Sequence, residues 1–126
     1  MVELLQGKKG TDILVMDLRR LTDTTDYFVL CTGTSDQHVR ALADEIVDKT
    51  TAAGDPPWHV EGYEARRWVL LDFVDVVVHL FRPEVREFYA LERLWRGAAC
   101  VRFDDGTIAD RQEPSAAPVD AVFSRS

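Results

Sequence analysis

Arg67-Trp68-Val69-Leu70-Leu71-Asp72, then Phe73-Val74-Asp75, then Val76-Val77-Val78-His79-Leu80-Phe81: two apolar runs rich in β-branched residues, split by three residues, read as an antiparallel hairpin. Successive strand side chains point to opposite faces, so Trp68 and Leu70 fall on one side and Val69 and Leu71 on the other. Both sides are apolar, and one of them needs a cover from outside the hairpin.

Outward from the hairpin, Pro83 fits the first turn of a closing helix, where a missing N–H costs nothing. Val85, Phe88, Leu91 and Trp95 then recur at helical spacing down to Gly97. Upstream, Trp58 to Glu61 reads as a short strand and Gly62-Tyr63-Glu64-Ala65 as a turn. The clearest amphipathic helix runs from Ser35 to about Ala53, with Val39, Leu42, Ala43, Ile46 and Val47 on one side and Asp44, Glu45 and Asp48 on the other. Ser35 is placed to cap it, and Gly54 followed by Asp55-Pro56-Pro57 stops it. Tyr27 to Thr32 and Thr11 to Leu18 complete the strands, joined by a polar stretch rich in Thr and Asp.

The order strand, strand, helix, strand, strand, strand, helix predicts an α/β fold: a mixed sheet of about five strands with helices packed on it. The predicted domain covers residues 1–96, and 97–126, where periodicity stops and Pro114 and Pro118 appear, is expected to be a mobile tail. Two amphipathic helices cover roughly one face of such a sheet. The leftover side of the hairpin is therefore expected to be an interaction surface with Trp68 as its anchor, set against a plain core role for that ring.

At 126 residues and 46% apolar composition the chain has the size of one ordinary domain. No run reaches the length of a membrane span and the N-terminus lacks the order of a signal peptide, so a cytoplasmic protein is expected. Cys31 and Cys100 lie far apart and no disulfide is expected. Fifteen basic against 22 acidic residues give a net charge of −7, with no basic cluster longer than a pair. That argues against a dedicated nucleic-acid site and favours a basic protein partner.

Catalytic readings are weaker than their structural counterparts. Gly33-Thr34-Ser35 before a helix has the form of a phosphate cradle, but no carboxylate pair at strand spacing follows to hold a metal against a triphosphate, and a turn-and-cap role is expected instead. Asp72 and Asp75 flank a turn, where aspartate caps backbone groups. His38, His59 and His79 are too scattered for a metal motif, and neither cysteine carries a catalytic signature. No cofactor, no metal and no enzymatic activity are expected.

The same segments resemble the ribosomal silencing factor, or Iojap-like, family. The matching stretches are Asp12-Ile13 with Asp17; Thr25 to Val29; Thr32-Gly33-Thr34-Ser35 with His38-Val39; Glu61-Gly62; Trp68 to Asp72; Asp75 to Phe81; and Arg86 to Trp95. Each is weak alone, but their order and spacing over about residues 8–96 are specific. The resemblance implies a nucleotidyltransferase-like topology without the catalytic carboxylates, and a homodimer when free. It also implies binding to the large ribosomal subunit through a ribosomal protein of the L-fourteen type, which blocks subunit joining and represses translation. Its alternatives are a nucleotide-acting enzyme and an adaptor for large-subunit assembly. Carried over by motif, the contact set is Trp68, Leu70, Leu71 and Asp72, extended by His79, Phe81, Arg82, Tyr89 and Glu92. Relatives generally begin with a longer helix, so here that helix is expected to be shortened or absent, and the tail from Gly97 is expected to exceed the family pattern.

Overall fold

Alternation along the strands sorts their side chains into two layers, one on each side of a single sheet. The computed structural model describes residues 1–64, 67–89, 98–104 and 107–112. In chain order these form α1 (Val2–Gly7), β1 (Thr11–Asp17), β2 (Tyr27–Thr32), α2 (Asp36–Ala52), β3 (His59–Glu61), β4 (Trp68–Asp72), β5 (Val76–Phe81), α3 (Pro83–Tyr89), β6 (Ala99–Asp104) and β7 (Thr107–Gln112). The strands lie in the order β3-β4-β5-β2-β1-β6-β7. Among the described residues only β2 and β5 run parallel; every other neighbouring pair is antiparallel. A parallel pair cannot be joined by a tight turn, and α2 with β3 and β4 supplies the long crossover.

One layer is closed by helices. Val39, Leu42, Ala43 and Ile46 of α2 pack with Leu5 of α1 onto Ile13, Val29, Cys31, Val69, Leu71, Val78 and Leu80, all of them buried. The α2 register is fixed at both ends: Ser35 Oγ accepts the His38 backbone N–H at 3.1 Å, and Gly54 takes a φ of +89° just past the last turn. His38 also joins α2 to α1, because its Nδ1 accepts the Thr34 N–H at 2.9 Å, leaving Nε2 to donate to the Lys8 carbonyl at 2.8 Å. The opposite layer gathers Leu14, Met16, Leu18, Leu30, Phe81, Val85 and Ala98, with Phe28, Trp68 and Cys100 at its margin.

Among the described residues the expected five strands become seven, and two of them lie beyond residue 97, in the segment expected to be a tail. Ala99–Asp104 pairs antiparallel with β1 from Asp17↔Ala99 to Ile13↔Phe103, and β7 pairs with β6. The physical reason is an otherwise open edge on β1, which β6 closes while Phe103 joins the helix-covered layer and Cys100 the other. Asp105-Gly106 between two runs is a hairpin signal that the Pro-rich end of the segment outweighed. Residues beyond 112 lie outside the described residues.

The N-terminal helix is present but short, with Leu5 fully buried and Val2 and Leu4 packed beside it. The closing helix starts at Pro83 as expected, and its continuation past Tyr89 lies outside the described residues.

Candidate functional site

The second side of the β4–β5 ribbon carries the residues singled out by sequence, in a grid set by strand register. Trp68 stands opposite Phe81, Leu70 opposite His79 and Asp72 opposite Val77. On the inner flank Val77 faces Phe28 and His79 faces Leu30. Trp68, Leu70, Asp72, Val77 and Phe28 are half-buried, whereas His79 and Phe81 form the floor beneath them. The floor is aromatic: the His79 ring meets Phe28 edge-on at 4.6 Å and Trp68 at 5.9 Å, and Trp68 lies 5.8 Å from Phe81.

Trp68 is oriented by a hydrogen bond, its Nε1–H donating to His79 Nδ1 at 3.1 Å. That bond fixes the neutral tautomer of His79 with its proton on Nε2. Burial pushes the His79 imidazole down to about 4, from an ordinary 6.5, because no charged form is solvated at 4% exposure. The folded state thus binds fewer protons than the unfolded state between these two values. Stability is complete above about pH 6.5, falls as the pH drops towards 4, and levels off below. The loss amounts to roughly 3 kcal/mol at most. Urea midpoints compared near neutral pH and near pH 4.5 are expected to show it, and His79→Gln is expected to remove this part of the pH dependence.

Two arginines anchor the helix that follows the ribbon. Arg82 pairs with Asp36 at 3.2 Å and with Glu84 at 2.8 Å. Arg86 is buried over the Phe81 ring and donates to the Asp12 carbonyl and to Thr32 Oγ1. Asp12 sits at a break in the β1–β2 register with a φ of +48°, so the guanidinium meets a carbonyl that the bulge has turned out of the ladder.

The structure corrects part of the expected contact set. Leu71 points to the opposite layer and is fully buried under α2, because its register position alternates with Leu70. Phe81 and His79 are likewise buried and packed against Trp68. Trp68, Leu70, Asp72 and Arg82 remain accessible. The side chain of Tyr89 and all of Glu92 lie outside the described residues. Val77, on the ribbon itself opposite Asp72, and Phe28 were missed; the β2–β5 pairing that places Phe28 beside the ribbon joins segments too distant for local patterns to reveal.

A glycine sets where the ribbon begins. Gly62 has a φ of +77°, and a Cβ there would stand 2.0 Å from the Trp68 carbonyl oxygen. Gly62→Ala is expected to cost about 1–3 kcal/mol, read as a lower thermal midpoint, and to displace the start of β4.

Among the described residues no helix is long and apolar enough to cross a membrane, and no group of three or more His, Cys, Asp or Glu side chains is arranged to hold a metal ion. Comparison with known proteins adds the following. Residues 1–124 match the family described as "Ribosomal silencing factor during starvation", so the match extends well into the segment expected to exceed the family pattern. The chain is 41% identical over 99 residues to ribosomal silencing factor RsfS of Bacillus subtilis, covering 79% of this chain and 84% of that protein. It is 38% identical over 95 residues to RsfS of Haemophilus influenzae, covering 75% and 93%. A crystal structure of a Chromobacterium violaceum protein superposes with a TM-score of 0.73 at 37% identity, covering 86% of each chain.

Proposed function

Because this chain belongs to the ribosomal silencing factor family, a family of non-enzymatic ribosome-binding regulators, we propose that it docks its β4–β5 ribbon on the large ribosomal subunit. The partner there is a ribosomal protein of the L-fourteen type, and the docked domain keeps the small subunit from joining by occupying its place. The observation that carries this reading is the Trp68 ring: half-buried, packed at a tilt against His79 and Phe81 and held by its own N–H, it is a large apolar anchor with little freedom left to lose on binding. A net charge of −7 suits a basic partner. A homodimer of the free chain and a nucleotidyltransferase-like ancestry of the sheet belong to the same proposal.

The nucleotide-acting alternative draws on the Gly33-Thr34-Ser35 turn. Its groups already have structural work: Ser35 Oγ caps α2, and the Thr34 N–H is bound by His38. This favours the turn-and-cap reading over a phosphate cradle.

The test is cosedimentation of the purified chain with separated ribosomal subunits over a salt series, followed by light scattering of subunit joining. Enrichment with large subunits, partial release at high salt and slower joining are expected. Equal distribution between the subunits, or undisturbed joining with the chain bound, overturns the proposal.

A further inference from the structure

Among the described residues four large apolar side chains stand exposed, Met1, Trp58, Val60 and Val74, and backbone bonds and pairings place the last three around Asp72 at one corner of the sheet. Trp58, at 78% exposure, donates its backbone N–H to the Asp72 carbonyl at 2.7 Å. Val74, at 54%, donates its own N–H to Asp72 Oδ1 at 2.7 Å. Val60, at 39%, pairs with Leu71, the neighbour of Asp72. That pairing turns Val60 to the side of the sheet opposite the Trp68 face. Trp58 leads directly into β3, the outermost strand of the sheet.

Val74 is held in a conformation that a β-branched residue avoids. Its φ is +75°, and the Asp75 N–H reaches back across it to the Phe73 carbonyl at 2.9 Å, a three-residue γ-type turn. The turn is also clamped from below, since the Asp75 carbonyl accepts from Thr25 Oγ1 at 2.9 Å and from the N–H groups of Asp26 and Tyr27 at 2.9 and 3.0 Å. A strained backbone therefore presents an apolar side chain to solvent on a rigid mount.

We propose that this corner is a second docking surface, and that its occupant is an extended lysine- or arginine-rich segment of a large-subunit protein, laid along β3 with apolar side chains against Trp58 and Val74. The inference rests on the ribosome-binding reading. Charge selects the occupant: residues 55–64 contain Asp55, Glu61 and Glu64 and no lysine or arginine, and the hairpin turn adds Asp72 and Asp75. The described cations that flank it are Lys49 in the last turn of α2, Arg40, paired with Tyr63 and Asp44, and Arg67 at the start of β4, so the five carboxylates outnumber them. A second copy of this chain would bring the same acidic set against itself, which is unfavourable. An open strand edge offers backbone hydrogen bonds to an extended segment, and the flanking apolar groups select its side chains.

The test measures affinity for purified large subunits using the full chain and three variants, Trp58→Ser, Val74→Gly and Trp68→Ala, with hydrogen exchange at His59, Val60 and Glu61. Trp58→Ser is expected to weaken binding about ten-fold, and Val74→Gly about three- to ten-fold, without lowering the thermal midpoint, since glycine suits the turn. The β3 amides that point away from β4 are expected to gain protection in the complex. Full loss in Trp68→Ala with wild-type affinity in Trp58→Ser and Val74→Gly overturns this inference alone. Conversion of a dimer to a monomer by Trp58→Ser, with large-subunit affinity intact, also overturns it by assigning the corner to a second copy. No binding by the unaltered chain overturns it together with the function on which it rests.

Discussion

Trp68→Ala is expected to lower affinity for the large ribosomal subunit by about 30- to 1,000-fold, roughly 2–4 kcal/mol, while the domain stays folded. The ring is half-buried, so part of its surface already contributes to the monomer and the remainder is free to enter a partner's pocket. Truncation removes that contact area and also leaves His79 Nδ1 without its donor. Trp68→Phe helps separate the two effects, because it keeps an aromatic ring at the site while losing the N–H and part of the apolar surface. Binding is expected in the order wild type, Trp68→Phe, Trp68→Ala, measured with labelled chain and purified subunits at fixed salt. An alanine variant that binds like wild type would remove the ribbon from the interface.

Leu71→Ala is expected to do the reverse. This side chain is fully buried among Val69, Leu80 and the α2 residues Leu42 and Ile46, in the layer that the helices close. Deleting its methyl groups leaves a cavity that the sheet cannot collapse around, with an expected loss of about 2–5 kcal/mol in unfolding free energy. The folded fraction is expected to keep its ribosome affinity, because nothing on the Trp68 face has changed. Denaturant unfolding combined with binding below the transition checks both halves. Two positions three residues apart on one strand thus have separable effects, one on binding and one on stability.

That separation explains what was legible in the sequence. The hairpin, the α2 stripe and its Ser35 and Gly54 ends are local patterns, and each fell within about a residue of its expected place. Period-two alternation also showed that the ribbon has two apolar faces. It did not show which of them α2 covers, since that depends on the β2–β5 pairing between distant segments. Leu71 was therefore grouped with Trp68 on motif alone, although the pleat places them on opposite sides. The β6–β7 hairpin was missed for a related reason: its strands are short and their stabilisation comes from the edge of β1, far away in the sequence. Arg86 entered the sequence reading only as the start of a stretch that resembles the family, and its bonds emerged only when the bulge at Asp12 brought a carbonyl to it.

The parallel pairing of β2 with β5 also carries a kinetic consequence. The β4–β5 and β6–β7 hairpins close over a few residues and can form quickly, but the centre of the sheet requires residue 32 to meet residue 81, and β6 must then find β1 from the far end of the chain. Loop-closure entropy makes such distant meetings the slow steps of folding. During synthesis the β4–β5 ribbon therefore emerges before the strand that completes the sheet, so the Trp68 face and the final fold mature at different moments.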